Sequence, residues 1–110
     1  MVEGFWLLQF EGMQGNGGGV VFFIKGRLFG GDSETTYVGD YTEKGNKISA
    51  RALVHTYVPG VANILGLEGD YTIEVEGTLE EDLITATGSP VGHNVAGVAL
   101  KLTKLEDFPR

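Results

Sequence analysis

The residues of this chain that could carry reactive chemistry are few, and their spacing limits what they can do. Asp32 follows Gly30 and Gly31. A carboxylate there either serves a function or accepts backbone N–H bonds two residues on, as in an Asx-type turn, and the turn is the simpler account. His55 lies in an alternating apolar run and His93 among chain breakers, with no acid or second histidine at ligand spacing. Neither a zinc centre nor a Ser-His-Asp triad is supported. Ser33, Ser49 and Ser89 lack the strand–turn–helix context of a nucleophile elbow. Residues 12–19, GMQGNGGG, fit neither GxGxxG nor GxxxxGK[ST], and no helix follows, so a flexible hairpin turn is expected rather than a phosphate loop. Glu80, Glu81 and Asp82 form an acidic tip that is either a docking patch for a basic partner or a solvated turn. With no catalytic or metal motif, the expectation is a protein that is not an enzyme and takes no cofactor.

Bulk properties narrow the class. The chain has 110 residues, enough for one domain, and its 42% hydrophobic and 21% charged content is that of a folded protein. Eighteen glycines without a Gly-X-Y period punctuate short apolar runs, as in all-β chains with tight turns. The net charge of −7 opposes direct nucleic-acid binding and favours a basic macromolecular partner, if there is one. There is no cysteine for disulfides or thiolate metal sites. The N-terminal segment lacks the basic region of a secretory signal, and no apolar run reaches the roughly 20 residues of a membrane span. A soluble, cytoplasmic protein is expected.

The elements that must position these residues read as strands. Residues 3–11 and 20–25 are apolar in both phases of a period-2 pattern, so both faces require cover by a helix, a tail or a second subunit. A tight turn at Lys25-Gly26 leads into a short strand and the Gly30-Gly31-Asp32 loop, where one glycine is expected to take a positive φ. A long hairpin follows, with arms 35–42 and 47–57 turned at residues 43–46. Residues 59–66 have helical spacing behind Pro59. Residues 71–77, 84–87 and 97–103 are further strands, residues 88–94 a loop, and residues 105–110 a tail. About eight strands with no long crossover predict an antiparallel meander closed into a small lipocalin-like barrel.

Within that barrel the alternation assigns Phe22, Ile24, Tyr37, Tyr41, Ala50, Ala52, Val54, Ile73, Val75, Val98 and Leu100 to the interior. The small alanines leave room there for an apolar ligand. Trp6, Leu8 and Phe10 are assigned outward because they cannot share the inner face with Phe5 and Leu7. Together with Leu53 and the Glu80–Asp82 acids they form the expected dimer or partner surface.

From residue 4 to residue 75 the chain resembles the GrlR-like family of type III secretion negative regulators. The shared devices are GFWLLQF, VVFFIKGRLFGGD, TYVGDY, ISARALVHTY and VPGVANILGLEGDYTIEV. The resemblance implies a lipocalin-like homodimer that acts by binding a protein partner, a transcriptional regulator. The family's recognition turn carries an acidic run, whereas residues 42–47 here are mixed in charge. The fold therefore carries over better than the partner. The alternative function is a carrier or sensor of a small hydrophobic ligand.

Overall fold

Period-2 alternation and two-residue turns give strands that pair with their neighbours in sequence. The computed structural model describes residues 2–12, 15–59, 69–93 and 97–108. Among these residues eight strands form a closed antiparallel barrel in sequence order. They are β1 (Gly4–Gly12), β2 (Gly15–Ile24), β3 (Arg27–Gly31), β4 (Thr35–Lys44), β5 (Lys47–Thr56), β6 (Tyr71–Glu80), β7 (Leu83–Pro90) and β8 (Val98–Asp107). β8 closes the ring on β1, with Gly4 opposite Asp107 and Leu8 opposite Leu102. A bulge between Phe5 and Trp6 shifts that register, so that Glu106 and Lys104 face consecutive residues of β1. Among the described residues no helix is long and apolar enough to cross a membrane. The helix expected over residues 59–66 lies, apart from Pro59, outside the described part of the chain.

The base of the barrel is built from tight turns. Lys25 and Gly26 take φ of 48° and 80°, the sign pattern of a type I′ hairpin, and Gly45 takes 61° ahead of Asn46. The carbonyls of Gly26, Asn46 and Asp82 accept the N–H groups of Tyr41, Leu79 and Lys104 at 2.8–2.9 Å. Each base turn thus leans on the strand after next and carries the ladder past the hairpin.

Several expectations on element bounds are corrected. Gly15–Gly19 belong to β2 rather than to a turn, and opposite Gly17 the Phe10 ring occupies the space a Cβ would need, at 2.5 Å. β7 continues through Pro90, because the β8 ladder has already ended at the Gly88–Val98 pair and no N–H is required on that side. β8 continues through Leu105–Asp107 to close the barrel on Gly4 and Phe5.

The facing of β1 and β2 is also reversed. Trp6, Leu8 and Phe10 point inward, with Trp6 fully buried, so they form no partner surface. Val21 and Phe23 are the buried residues of β2, while Phe22 and Ile24 are outside and only half covered. Phe22 packs against Phe108 of the C-terminal segment, ring centroids 5.7 Å apart, so a tail provides part of the expected outer cover.

Candidate functional site

Among the described residues the interior is packed at the base and hollow toward the other end. At the base the Trp6 indole N–H donates to the Val2 carbonyl at 2.8 Å, and both residues are wholly buried. Trp6 meets Phe23 edge-on at 6.2 Å, and Phe23 meets Tyr41 edge-on at 5.1 Å. The Lys104 ammonium lies 5.5 Å from the centre of the Trp6 ring. Offset and perpendicular aromatic contacts of this kind stabilise by about 0.5–1.5 kcal/mol beyond burial. Tyr41 therefore faces inward as expected, but belongs to this plug.

Above the plug lies a cavity of about 520 Å³. Its walls are apolar, and it exists because inward positions carry small residues: Ala50 and Ala52 on β5, Gly77 on β6 and Ala86 on β7. Tyr37, Val54, Ile73, Val75, Val98 and Leu100 also line it, as assigned from the sequence. Phe22 and Ile24 do not; Leu8, Phe10, Val21 and Phe23 take those walls. The volume falls within the roughly 300–1,000 Å³ of pockets that enclose small ligands.

The mouth carries a polar cluster centred on Asp32, which lines the cavity together with Thr35, Tyr37 and Tyr71. Asp32 Oδ1 accepts the N–H groups of Glu34 at 2.8 Å and Thr35 at 2.7 Å, which is the Asx-type turn expected there. Asp32 Oδ2 accepts the Thr35 hydroxyl at 2.9 Å and the Tyr37 hydroxyl in a short hydrogen bond. The Tyr57 hydroxyl donates to the Asp32 carbonyl at 2.6 Å and ties the loop to the end of β5. Partial burial opposes ionisation of Asp32, but the hydrogen bonds from Tyr37, Glu34 and Thr35 outweigh it and hold the carboxyl below its ordinary value. Burial, then the bond to Asp32, raises Tyr37 well above the usual phenol range. Burial and the nearby Asp32 charge push Tyr71 up to about 12. At neutral pH the Asp32 carboxylate is therefore ionised and the Tyr37 and Tyr71 hydroxyls beside it are neutral.

Neither Gly30 nor Gly31 takes the positive φ expected of that loop. Both are required for close approach instead. A Cβ on Gly30 would lie 2.2 Å from the Val20 carbonyl oxygen, and one on Gly31 2.9 Å from the Thr35 carbonyl oxygen. Gly31 thus lets the chain turn tightly enough for Asp32 to reach Thr35.

The other residues singled out in the sequence lie outside the barrel. His55 faces outward and its Nδ1 is 2.8 Å from Asp70 Oδ1, an exposed pair that spacing along the chain did not reveal. Among the described residues no serine or threonine hydroxyl hydrogen-bonds to that ring. Glu80, Glu81 and Asp82 are exposed on the base turn between β6 and β7, at the end away from the mouth. Leu53 is exposed on the outer face of β5, in register with Val38 and, through it, Phe29.

What the alternation missed is the polar mouth. Its signal was the order Asp32, Thr35, Tyr37, which places an acceptor and two hydroxyls around one turn. No family model matches the chain, and no curated protein matches it.

Proposed function

We propose that the protein is a lipocalin-like binding barrel that holds one small apolar molecule, as a carrier or sensor, without catalytic chemistry. The observation that supports this reading is the cavity of about 520 Å³ with apolar walls above a packed base. An apolar occupant of this volume would make dispersion contacts with the walls and leave water on entering. Titration with N-phenyl-1-naphthylamine, a neutral apolar dye that brightens on leaving water, tests it. Wild type should bind the dye saturably at one site, and the series Ala50→Val, Ala50→Leu, Ala50→Phe should bind it progressively more weakly while keeping a cooperative melt. Absence of saturable binding, or equal binding across a folded series, overturns the reading.

A second reading is favoured by the outer face. Phe29, Val38 and Leu53 form a cross-strand row on β3, β4 and β5, each between 42% and 48% exposed. Such a row suits a homodimer of a regulatory protein that binds a protein partner, as the GrlR-like resemblance implies, with this row in place of Trp6, Leu8 and Phe10. Sedimentation of wild type and of the Val38→Asp, Leu53→Asp double variant tests it. A dimer that becomes a folded monomer supports the reading; a wild-type monomer at micromolar concentration sinks it.

A further inference from the structure

We infer that the cavity selects ligands whose apolar body ends in a protonated amine, with the ammonium held at the mouth by the Tyr37 hydroxyl and the uncommitted Tyr71 hydroxyl beside the Asp32 carboxylate. The inference rests on the binding-barrel reading and adds the polarity of the head group.

Three observations carry it. The first is the direction of the hydrogen bonds. Asp32 receives four, from the Glu34 and Thr35 amides and the Thr35 and Tyr37 hydroxyls. A carboxylate has about four lone-pair sites, so Asp32 is saturated and acts on a ligand by its charge. The Tyr37 proton is committed to it, which leaves that hydroxyl only lone pairs to offer the cavity. Tyr37 therefore accepts from a ligand N–H and passes the polarisation on to Asp32. A ligand carboxylate would meet lone pairs there.

The second observation is Tyr71. It lines the cavity at 7% exposure, and its hydroxyl has no hydrogen-bond partner among the described residues. Thr56 Oγ1 is the fully buried hydroxyl left unpaired among the described residues, whereas the Tyr71 oxygen is open to the cavity and can meet a ligand head group or water. An ammonium head carries three donors, enough for both tyrosines and one contact toward solvent.

The third observation is the sign of the charge. Asp32 and Glu34 line the cavity, and among the described residues no lysine, arginine or histidine does. The chain as a whole carries −7. An anionic amphiphile such as a fatty-acid carboxylate would enter this site without a counter-charge and against the field of Asp32, whereas a cation is drawn in.

Chain-matched ligands separate head from body: decylamine, decanol and decanoate, each titrated at neutral pH and low salt by displacement of N-phenyl-1-naphthylamine. The expected order is amine tightest, alcohol about tenfold weaker, carboxylate weakest, since charge-assisted hydrogen bonds are roughly twice as strong as neutral ones. Asp32→Asn should collapse the amine's advantage over the alcohol to within about twofold. Because that variant disturbs the turn, Tyr71→Phe is the companion; it removes a hydroxyl with no protein partner, so it should keep the melting temperature and weaken the amine alone. If decanol and decanoate bind as tightly as decylamine, the head-group inference fails while the binding-barrel reading stands. If none of the three displaces the dye, or the dye itself does not bind, both fail.

Discussion

The Tyr37 hydroxyl donates its proton to Asp32 Oδ2 across the mouth of the barrel, so that a residue of β4 and the loop before it form one hydrogen-bonded unit. That unit orders the rim and makes its stability depend on the ionisation of Asp32.

The dependence has a definite sign. The carboxyl of Asp32 is held below its ordinary value of 3.8, so the unfolded chain takes up a proton before the folded one does. Its stabilising contribution is complete above that value and is lost as pH falls through the lowered folded value. Asp32→Asn should therefore show a smaller drop in melting temperature than wild type between pH 4 and pH 2. Parallel acid profiles for the two proteins would contradict this.

At the alkaline end Tyr71 behaves in the opposite sense. Its phenol is pushed up to about 12 from an ordinary value of 10.0. The stabilisation is complete below pH 10 and is lost as pH rises toward the folded value, because the unfolded chain gives up its proton first. Tyr71→Phe should flatten the decline in melting temperature above pH 10. The absorbance of ionised tyrosine, followed in parallel, should show one late-titrating group fewer in the variant.

Trp6 offers an optical check on the reversed facing of β1. It is the only tryptophan and is fully buried among Val2, Phe23 and the β1 neighbours. Emission should be blue-shifted, resistant to acrylamide quenching, and red-shifted on unfolding. Trp6→Ala should destabilise by about 3–5 kcal/mol in chemical denaturation. A solvent-like emission from the native protein would restore the outward placement.

Much of the architecture was legible in the sequence, and the exceptions have a physical cause. Where only one phase of a strand is apolar, as with Tyr71, Ile73 and Val75, alternation fixes the inward face. In β1 and β2 both phases are apolar, and a one-residue slip then leaves the pattern equally satisfied. Size matching across the pair fixes the register: the Phe10 ring takes the space beside Gly17 that a side chain there would need. The cavity was foreshadowed by Ala50 and Ala52. The mouth was not, because Asp32 and Tyr37 meet through a turn geometry that periodicity does not describe.

The glycines next to Asp32 can be told apart from turn glycines by substitution. Gly30→Ala would drive a Cβ to 2.2 Å from the Val20 carbonyl oxygen and 2.9 Å from Val21 Cα, both backbone atoms that cannot step aside. A loss of about 3 kcal/mol is expected. At Gly45, with φ of 61° and nothing within 4 Å, alanine meets only the left-handed penalty of about 1–2 kcal/mol. Equal losses in denaturant melts would mean that β2 and β3 do not approach as closely as described.

The closure of β8 on β1 has a kinetic consequence. Every other strand pair in the ring joins neighbours in sequence, and the tight hairpins among them form on microsecond timescales. Only the β1–β8 ladder must bring opposite ends of the chain together, and it can be rewarded only after the loop entropy of the whole meander has been spent. An unclosed sheet would meanwhile expose the edges of Gly4–Gly12 and Val98–Asp107, both ready to pair with another molecule. The bulge at Phe5–Trp6 and the exposed acids Glu106 and Asp107 sit on those edges. They make the open intermediate a poor template for strand exchange, and so protect the slowest step of folding from aggregation.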